Sequence, residues 1–212
     1  MAGLNTPHLA EVIIIFFNQL LFNTPRFGQF FSHLEKFQGL NRANLIFKNW
    51  GVVVNLPMST GAVNEEPGLQ LGIRCEGLDW QLSSIGQVCA SSWPALSTLE
   101  HLSIQQYIWT YEQPQPPVNI MIESTQWLEF FQPFSVVKNL YLSKELMLSV
   151  MDALKGLHGE SVTEVLPALQ DIFLEGLNPA EPVEPIQEAI KPFIAARQLF
   201  GHPVAVHDWK RE

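Results

Sequence analysis

A segment of the form apolar-x-x-apolar-x-apolar recurs along the chain, each time with a proline shortly upstream. Four copies are clear: Leu9-x-x-Val12-x-Ile14 after Pro7, Leu99-x-x-Leu102-x-Ile104 after Pro94, Val137-x-x-Leu140-x-Leu142 after Pro133, and Leu169-x-x-Ile172-x-Leu174 after Pro167. The last three begin 38 and 32 residues apart, a period at which one supersecondary unit must stack on the next to bury its apolar side. The closing alternation of each copy is the period-2 pattern of a strand, and the apolar residue three positions earlier fits the bend into it.

Between copies the spacing turns helical, as it must if each strand is returned to the same sheet by a crossover. Trp127, Leu128 and Phe131 share one helical face behind a predicted N-cap at Ser124. Leu146, Val150, Leu154 and Leu157 follow at helical steps, with Gly159 as the predicted left-handed terminator. Leu82, Ile85 and Cys89 form another such face, and Val183, Ile186, Ile190, Phe193 and Ile194 a last one, with a kink expected at Pro192. Shorter strands are expected at Leu45–Lys48, Val52–Leu56 and Leu69–Cys75, the first two as a hairpin turning at Trp50-Gly51, and Val204 with Val206 supplies a final one. The segments Pro57–Gly68 and Thr110–Val118 read as loops. The pattern is a loosely kept leucine-rich-repeat grammar. It predicts an α/β chain folded as one curved solenoid over residues 1–212, with six or seven mainly parallel strands on the concave face and helices outside.

Composition supports a packed core and excludes several functions. At 47% hydrophobic and 16% charged residues the chain is not disordered. A formal charge of −9 argues against a nucleic-acid partner. The longest apolar run, Val12–Phe22, is interrupted by Asn18 and Gln19 and is too short to span a bilayer, so no membrane partner is expected. Cys75 and Cys89 belong to no metal-binding spacing and read as buried free thiols, which places the protein in the cytoplasm or nucleus.

Catalytic and cofactor signatures are missing from the pattern. His8, His33, His101, His158, His202 and His207 form no HExxH and no i, i+4 ligand pair, and neither GxSxG, GxxxxGK[ST] nor GxGxxG occurs. Glu65, Glu66, Glu181 and Glu184 read as surface or helix-start charge, and most of the six tryptophans as core. No enzyme activity, metal or cofactor is therefore expected, and a hydrolase is only a remote alternative. Leu166-Pro167-Ala168-Leu169 is superficially similar to the Leu-Pro start of an F-box helix, but its register fits the fourth copy better.

The segment Pro133-Phe134-Ser135-Val136-Val137-Lys138-Asn139-Leu140-Tyr141-Leu142, together with Trp80–Cys89, Val162–Gln170, Ala195–Val206, Phe16–Pro25 and Asn49–Val52, resembles the C-terminal leucine-rich-repeat-like region of mushroom-type fungal F-box proteins. The resemblance runs nearly end to end. It implies the substrate-recognition part of a receptor in an SCF-type ubiquitin ligase, with an unidentified protein as substrate. Docking on the ligase adaptor would need an F-box outside these residues, since none is visible upstream of Leu9. The alternative is a freestanding repeat scaffold or decoy without ligase recruitment. An apolar first strand with no capping repeat before it further predicts self-association or poor solubility in isolation.

In such an array the motif residues point to the core and the intervening ones to the concave surface. Register therefore selects Glu11, Ile13, His101, Ser103, Asn139, Tyr141, Asp171 and Phe173 as candidate partner contacts. Tyr141 and Phe173 occupy matching positions of adjacent copies and should lie side by side across a parallel ladder. The same positions could equally form a solvated or loop-covered side of the sheet.

Overall fold

The pattern of alternating apolar residues is realised as eight strands in one open sheet. The computed structural model describes residues 12–17, 40–58, 66–90, 98–107, 122–176 and 184–210. Its strands are β1 (Val12–Phe17), β2 (Arg42–Lys48), β3 (Gly51–Met58), β4 (Glu66–Arg74), β5 (His101–Tyr107), β6 (Asn139–Leu142), β7 (Asp171–Glu175) and β8 (Ala205–Trp209). Between them lie helices α1 (Leu78–Ala90), α2 (Ser124–Phe131), α3 (Lys144–Lys155), the single turn α4 (Ser161–Glu164) and α5 (Glu184–Leu199).

Strand order across the sheet is β1-β4-β3-β2-β5-β6-β7-β8. The β2-β3 and β3-β4 pairs are antiparallel and the other five are parallel. Eight strands exceed the six or seven expected, and the succession is not uniform. From β5 to β8 each strand neighbours the next in sequence, whereas β2, β3 and β4 form a meander that carries β1 on its far side. The expected hairpin is present, turning through Asn49 and Trp50. Gly51 is required there: a Cβ at this position would lie 2.2 Å from the Ile73 carbonyl oxygen of β4. β3 runs on through Pro57, where the register with β4 shifts, a common place for a proline in a strand. The loop after it is thus shorter than the sequence implies.

Parallel strands need a return segment at each step, and the described helices of these returns pack against one another. α1 touches α2, α2 touches α3 and α3 touches α5, so the helices form a single layer. Against it the sheet presents Ala43, Leu45, Phe47, Val52, Val54, Leu71, Ile73, Leu102, Ile104, Leu140, Leu142, Ile172 and Leu174, all buried in one cluster. Each such aliphatic side chain contributes about 1.5–3 kcal/mol on burial. At the centre Trp127 is fully buried among Phe47, Phe130 and Phe131, and its indole N–H donates to Ser149 Oγ at 2.8 Å.

A repeated hydrogen-bond pattern marks the start of each parallel strand. The Asn41 carbonyl accepts from the backbone N–H of Glu100 and His101, the Glu100 carbonyl from Lys138 and Asn139, the Lys138 carbonyl from Gln170 and Asp171, and the Gln170 carbonyl from Ala205, all at 2.8–3.0 Å. These equivalences align Leu40-x-x-Ala43-x-Leu45 with the copies at Leu99, Val137 and Leu169. A copy hidden by its small Ala43 therefore precedes them, and the β3-β4 meander fills the long interval that follows it.

Several local expectations need correction. Glu123, not Ser124, is the N-cap of α2. The helix α3 ends at Lys155 with Gly156 still right-handed, so Gly159, at φ +60°, shapes the turn beyond it and is not the helix cap. Pro192 falls inside α5, on its exposed side, without ending the helix. Of the cysteines only Cys89 is buried; Cys75 is half-buried, and both are free. Trp50 and Trp80 are exposed rather than core. Leu9, Glu11 and the Thr110–Val118 segment lie outside the described residues. Among those described, no helix is long and apolar enough to cross a membrane.

The lead-in to β7 is held by a buried cation. Arg197 of α5 is 0% exposed, and no carboxylate pairs with it among its hydrogen bonds. Its Nη1 donates to the Val162 and Leu166 carbonyls, Nη2 to those of Pro167 and Leu169, and Nε to that of His202, at 3.0–3.4 Å. All five guanidinium N–H groups are thus placed, and Leu166 is held there in a left-handed conformation at φ +50°. Removing this side chain orphans several buried carbonyls at once. Arg197→Ala should destabilise the fold by about 3 kcal/mol or more, and Arg197→Lys nearly as much, in urea unfolding; a loss below about 1 kcal/mol would contradict the clamp.

Candidate interaction surface

The strand residues that alternate with the core positions come out on the opposite side of the sheet, away from the helices. Register places Ile13, Gln70, Asn55, Asn44, Ser103, Tyr141, Phe173 and His207 in one row across all eight strands. A neighbouring row holds Arg42, His101, Asn139, Asp171 and Ala205. Six of the eight sequence-selected positions therefore fall on one contiguous patch spanning β5 to β7. Ile13 occupies the same row at the distant β1 edge, and Glu11 lies outside the described residues.

Aromatic side chains dominate this patch. Tyr141 stacks on Phe173 with ring centroids 4.4 Å apart and planes 11° from parallel, and Phe173 stacks in turn on His207 at 4.8 Å. Trp209 meets Tyr141 edge-on at 5.6 Å, and His101 flanks Tyr141 at 6.4 Å. Such pairs add about 0.5–1.5 kcal/mol each beyond their area, so the rings form a fixed platform rather than a set of loose side chains. His207 Nε2 lies 2.7 Å from Asp171 Oδ1, tying β8 to β7 across the same surface. Gln105 Nε2 donates to Ser103 Oγ at 2.9 Å, and Gln70 Nε2 to Asn55 Oδ1 at 2.8 Å.

Exposure on this side varies from residue to residue. Asn139, Tyr141, Asp171, Phe173 and Trp209 are half-exposed and Ala205 and His207 exposed. Val53 in the meander and Ser103 in β5 are each only 6% exposed on the same side, while Asn44, Ile46, Asn55 and Gln70 are as half-exposed as Tyr141 and Phe173. What distinguishes the β5–β8 half among the described residues is its stacked rings.

His207 and Trp209 escaped the sequence reading because the last copy lacks its closing apolar residue: Asp208 stands where Leu174 stands in β7. The alternation Ala205-x-His207-x-Trp209 around Val204 and Val206 was the available signal. Asn44 was missed for the same reason as its strand's weak motif.

Polar chemistry on the patch does not converge. Among the described residues no three His, Cys, Asp or Glu side chains come together as a metal set. His158 and His202 are exposed and stand apart from it. Glu65 and Glu181 lie outside the described residues. The Cys89 thiol is pushed up to about 12 by burial, and that of Cys75 is also raised by burial, so neither is an activated nucleophile. Glu175 serves the fold: its carboxylate accepts from the Lys144 N–H at 3.2 Å, where it meets the positive end of α3. Comparison with protein families, curated proteins and solved structures finds no match to this chain.

Burial holds the His101 imidazole below the usual histidine range, and the nearby Arg42 charge adds to this; its Nδ1 is buried without a hydrogen-bond partner. The unfolded chain thus binds a proton at His101 that the folded chain resists. Its contribution to stability is complete above the ordinary value of 6.5 and is lost as pH falls from there through the lowered folded value. Between about pH 7.5 and about pH 5, wild type should lose more unfolding free energy than His101→Gln; equal losses would contradict this reading.

Proposed function

We propose that this chain is a protein-recognition module, and that the β5–β8 sheet face captures its partner. The supporting observation is the ring platform Tyr141–Phe173–His207 with Trp209, half-exposed on the side of the sheet opposite the helices. Rigid aromatic side chains, with no ordering entropy left to lose, are what binding hot spots are made of. Asn139 and Asp171 supply the adjoining polar groups that fix orientation, whereas Ser103 is buried beneath Gln105. A catalytic reading has no comparable support, because among the described residues no nucleophile, base and orienting group lie together.

The architecture is read as a leucine-rich-repeat-like solenoid, supported by the uniform succession β5 to β8 and the repeated carbonyl bridging at its strand starts. With the sequence resemblance to fungal F-box proteins, this makes the module the substrate-recognition part of an SCF-type ubiquitin ligase receptor. Ligase recruitment then depends on an F-box outside these residues. The freestanding scaffold shares the same binding face and differs only in lacking the adaptor.

Site-specific photo-crosslinking in the native host tests both levels. A crosslinker at Asn139 should attach to a discrete protein partner, whereas one at exposed Asp152 on α3 should not. Ligase adaptor recovered near stoichiometrically with that complex is the expected result; partner without adaptor would leave the scaffold. Attachment from Asp152 but not Asn139 would remove the sheet face from the account.

A further inference from the structure

Among the described residues β8 ends the sheet, with β7 as its one partner strand. Two bonds determine which of its backbone groups look outward. The Ala205 N–H donates to the Gln170 carbonyl at 2.8 Å, and the Trp209 carbonyl accepts from the Gly176 N–H at 3.3 Å. Ala205, His207 and Trp209 thus turn their backbone groups toward β7. Along a strand these directions alternate, so Val206 and Asp208 turn their N–H and C=O groups to the free edge. On the open face the ring column Tyr141–Phe173–His207 stops at this edge, with the His207 side chain 44% exposed. Exposed Ala205, a single methyl, and Trp209, the largest side chain, flank His207 on that face.

We propose that β8 pairs antiparallel with β8 of a second copy of this chain, about a two-fold axis at His207. Centring there places Val206 opposite Asp208 of the second copy, so that each such pair exchanges two N–H···O=C bonds through groups that already face outward. His207 meets its counterpart as a non-hydrogen-bonded pair, the kind in which side chains approach most closely. The stacked rings then continue from one molecule into the other. Ala205 lies opposite Trp209 of the second copy, a small side chain leaving room for a large one. Neighbouring registers fit worse. Centring on Asp208 sets two carboxylates directly opposite each other, and centring on Val206 breaks the ring column and sets Trp209 against Pro203. The contact is isologous and closes as a dimer. It is held by the backbone of the sheet edge and leaves Tyr141 and Phe173 free, although His207 and Trp209 also belong to the face proposed for the partner.

Sedimentation of the whole chain between about 1 and about 100 μM should show a reversible species of twice the monomer mass. Asp208→Pro deletes an outward N–H at an edge, where proline is tolerated, and leaves the β7 ladder intact; it should be a folded monomer. Under mild oxidation His207→Cys should crosslink the two copies at position 207, while Asp208→Cys should not, and this arm does not depend on the proline variant folding. A monomer throughout the range would overturn the proposal, including one that instead takes up an extended segment of another protein at β8. So would a dimer that survives in folded Asp208→Pro, or crosslinking as ready at 208 as at 207.

Discussion

Parallel pairing cannot be closed by a tight turn, and most of this molecule follows from that constraint. Each step from β5 to β8 must travel the length of a strand before the next can start, and a helix is the compact way to do so while satisfying its own backbone. The described helices of these returns lie on one side, so one sheet face is buried under a continuous helix layer and the other is left to face outward. The carbonyl bridging from Asn41 through Glu100, Lys138 and Gln170 keeps successive strands in step. Because the register never slips, every alternate residue arrives on the same side as its counterpart in the next strand. The aromatic column Tyr141, Phe173 and His207 is a product of that register, not of any local attraction strong enough to build it.

The strongest parts of this arrangement were legible in the sequence. Leu140 and Leu142, or Ile172 and Leu174, alternate with polar or aromatic residues, and the period alone assigns Tyr141 and Phe173 to the outer face and to adjacent rungs. The long apolar faces of α2 and α3 were equally plain. Less legible were features that depend on distant partners. Ala43 is too small to announce a repeat, yet β2 starts one because Asn41 bonds to Glu100 and His101. The β2–β4 meander reads as short strands in any order; its antiparallel pairing with β1 outermost is a tertiary outcome that no period encodes. Arg197 belongs to no period or motif that would mark it as buried, and its burial depends on five carbonyls from three separate stretches of chain.

The two sides of the sheet divide the chain's tasks. Stability resides in the helix-covered face, where one aliphatic or aromatic cluster joins every described strand from β2 to β7, and in the Arg197 clamp that fixes the approach to β7. The outer face contributes less by burial and carries the aromatic and amide side chains that the proposal assigns to contact. A charge of −9 over the whole chain does not single out this face, whose Arg42, Asp171 and His207 are of mixed sign. On the proposed reading, recognition there would rest on shape and ring stacking rather than on long-range attraction.

The central claim is that partner contact falls on the β5–β8 face and not on the helices. Hydroxyl-radical footprinting of the native complex against the isolated chain measures this side chain by side chain. The account predicts protection of Tyr141, Phe173 and Trp209 in the complex, with exposed Leu148 of α3 and Leu199 of α5 modified equally in both states. Protection of Leu148 and Leu199, with the three rings unchanged, would contradict it.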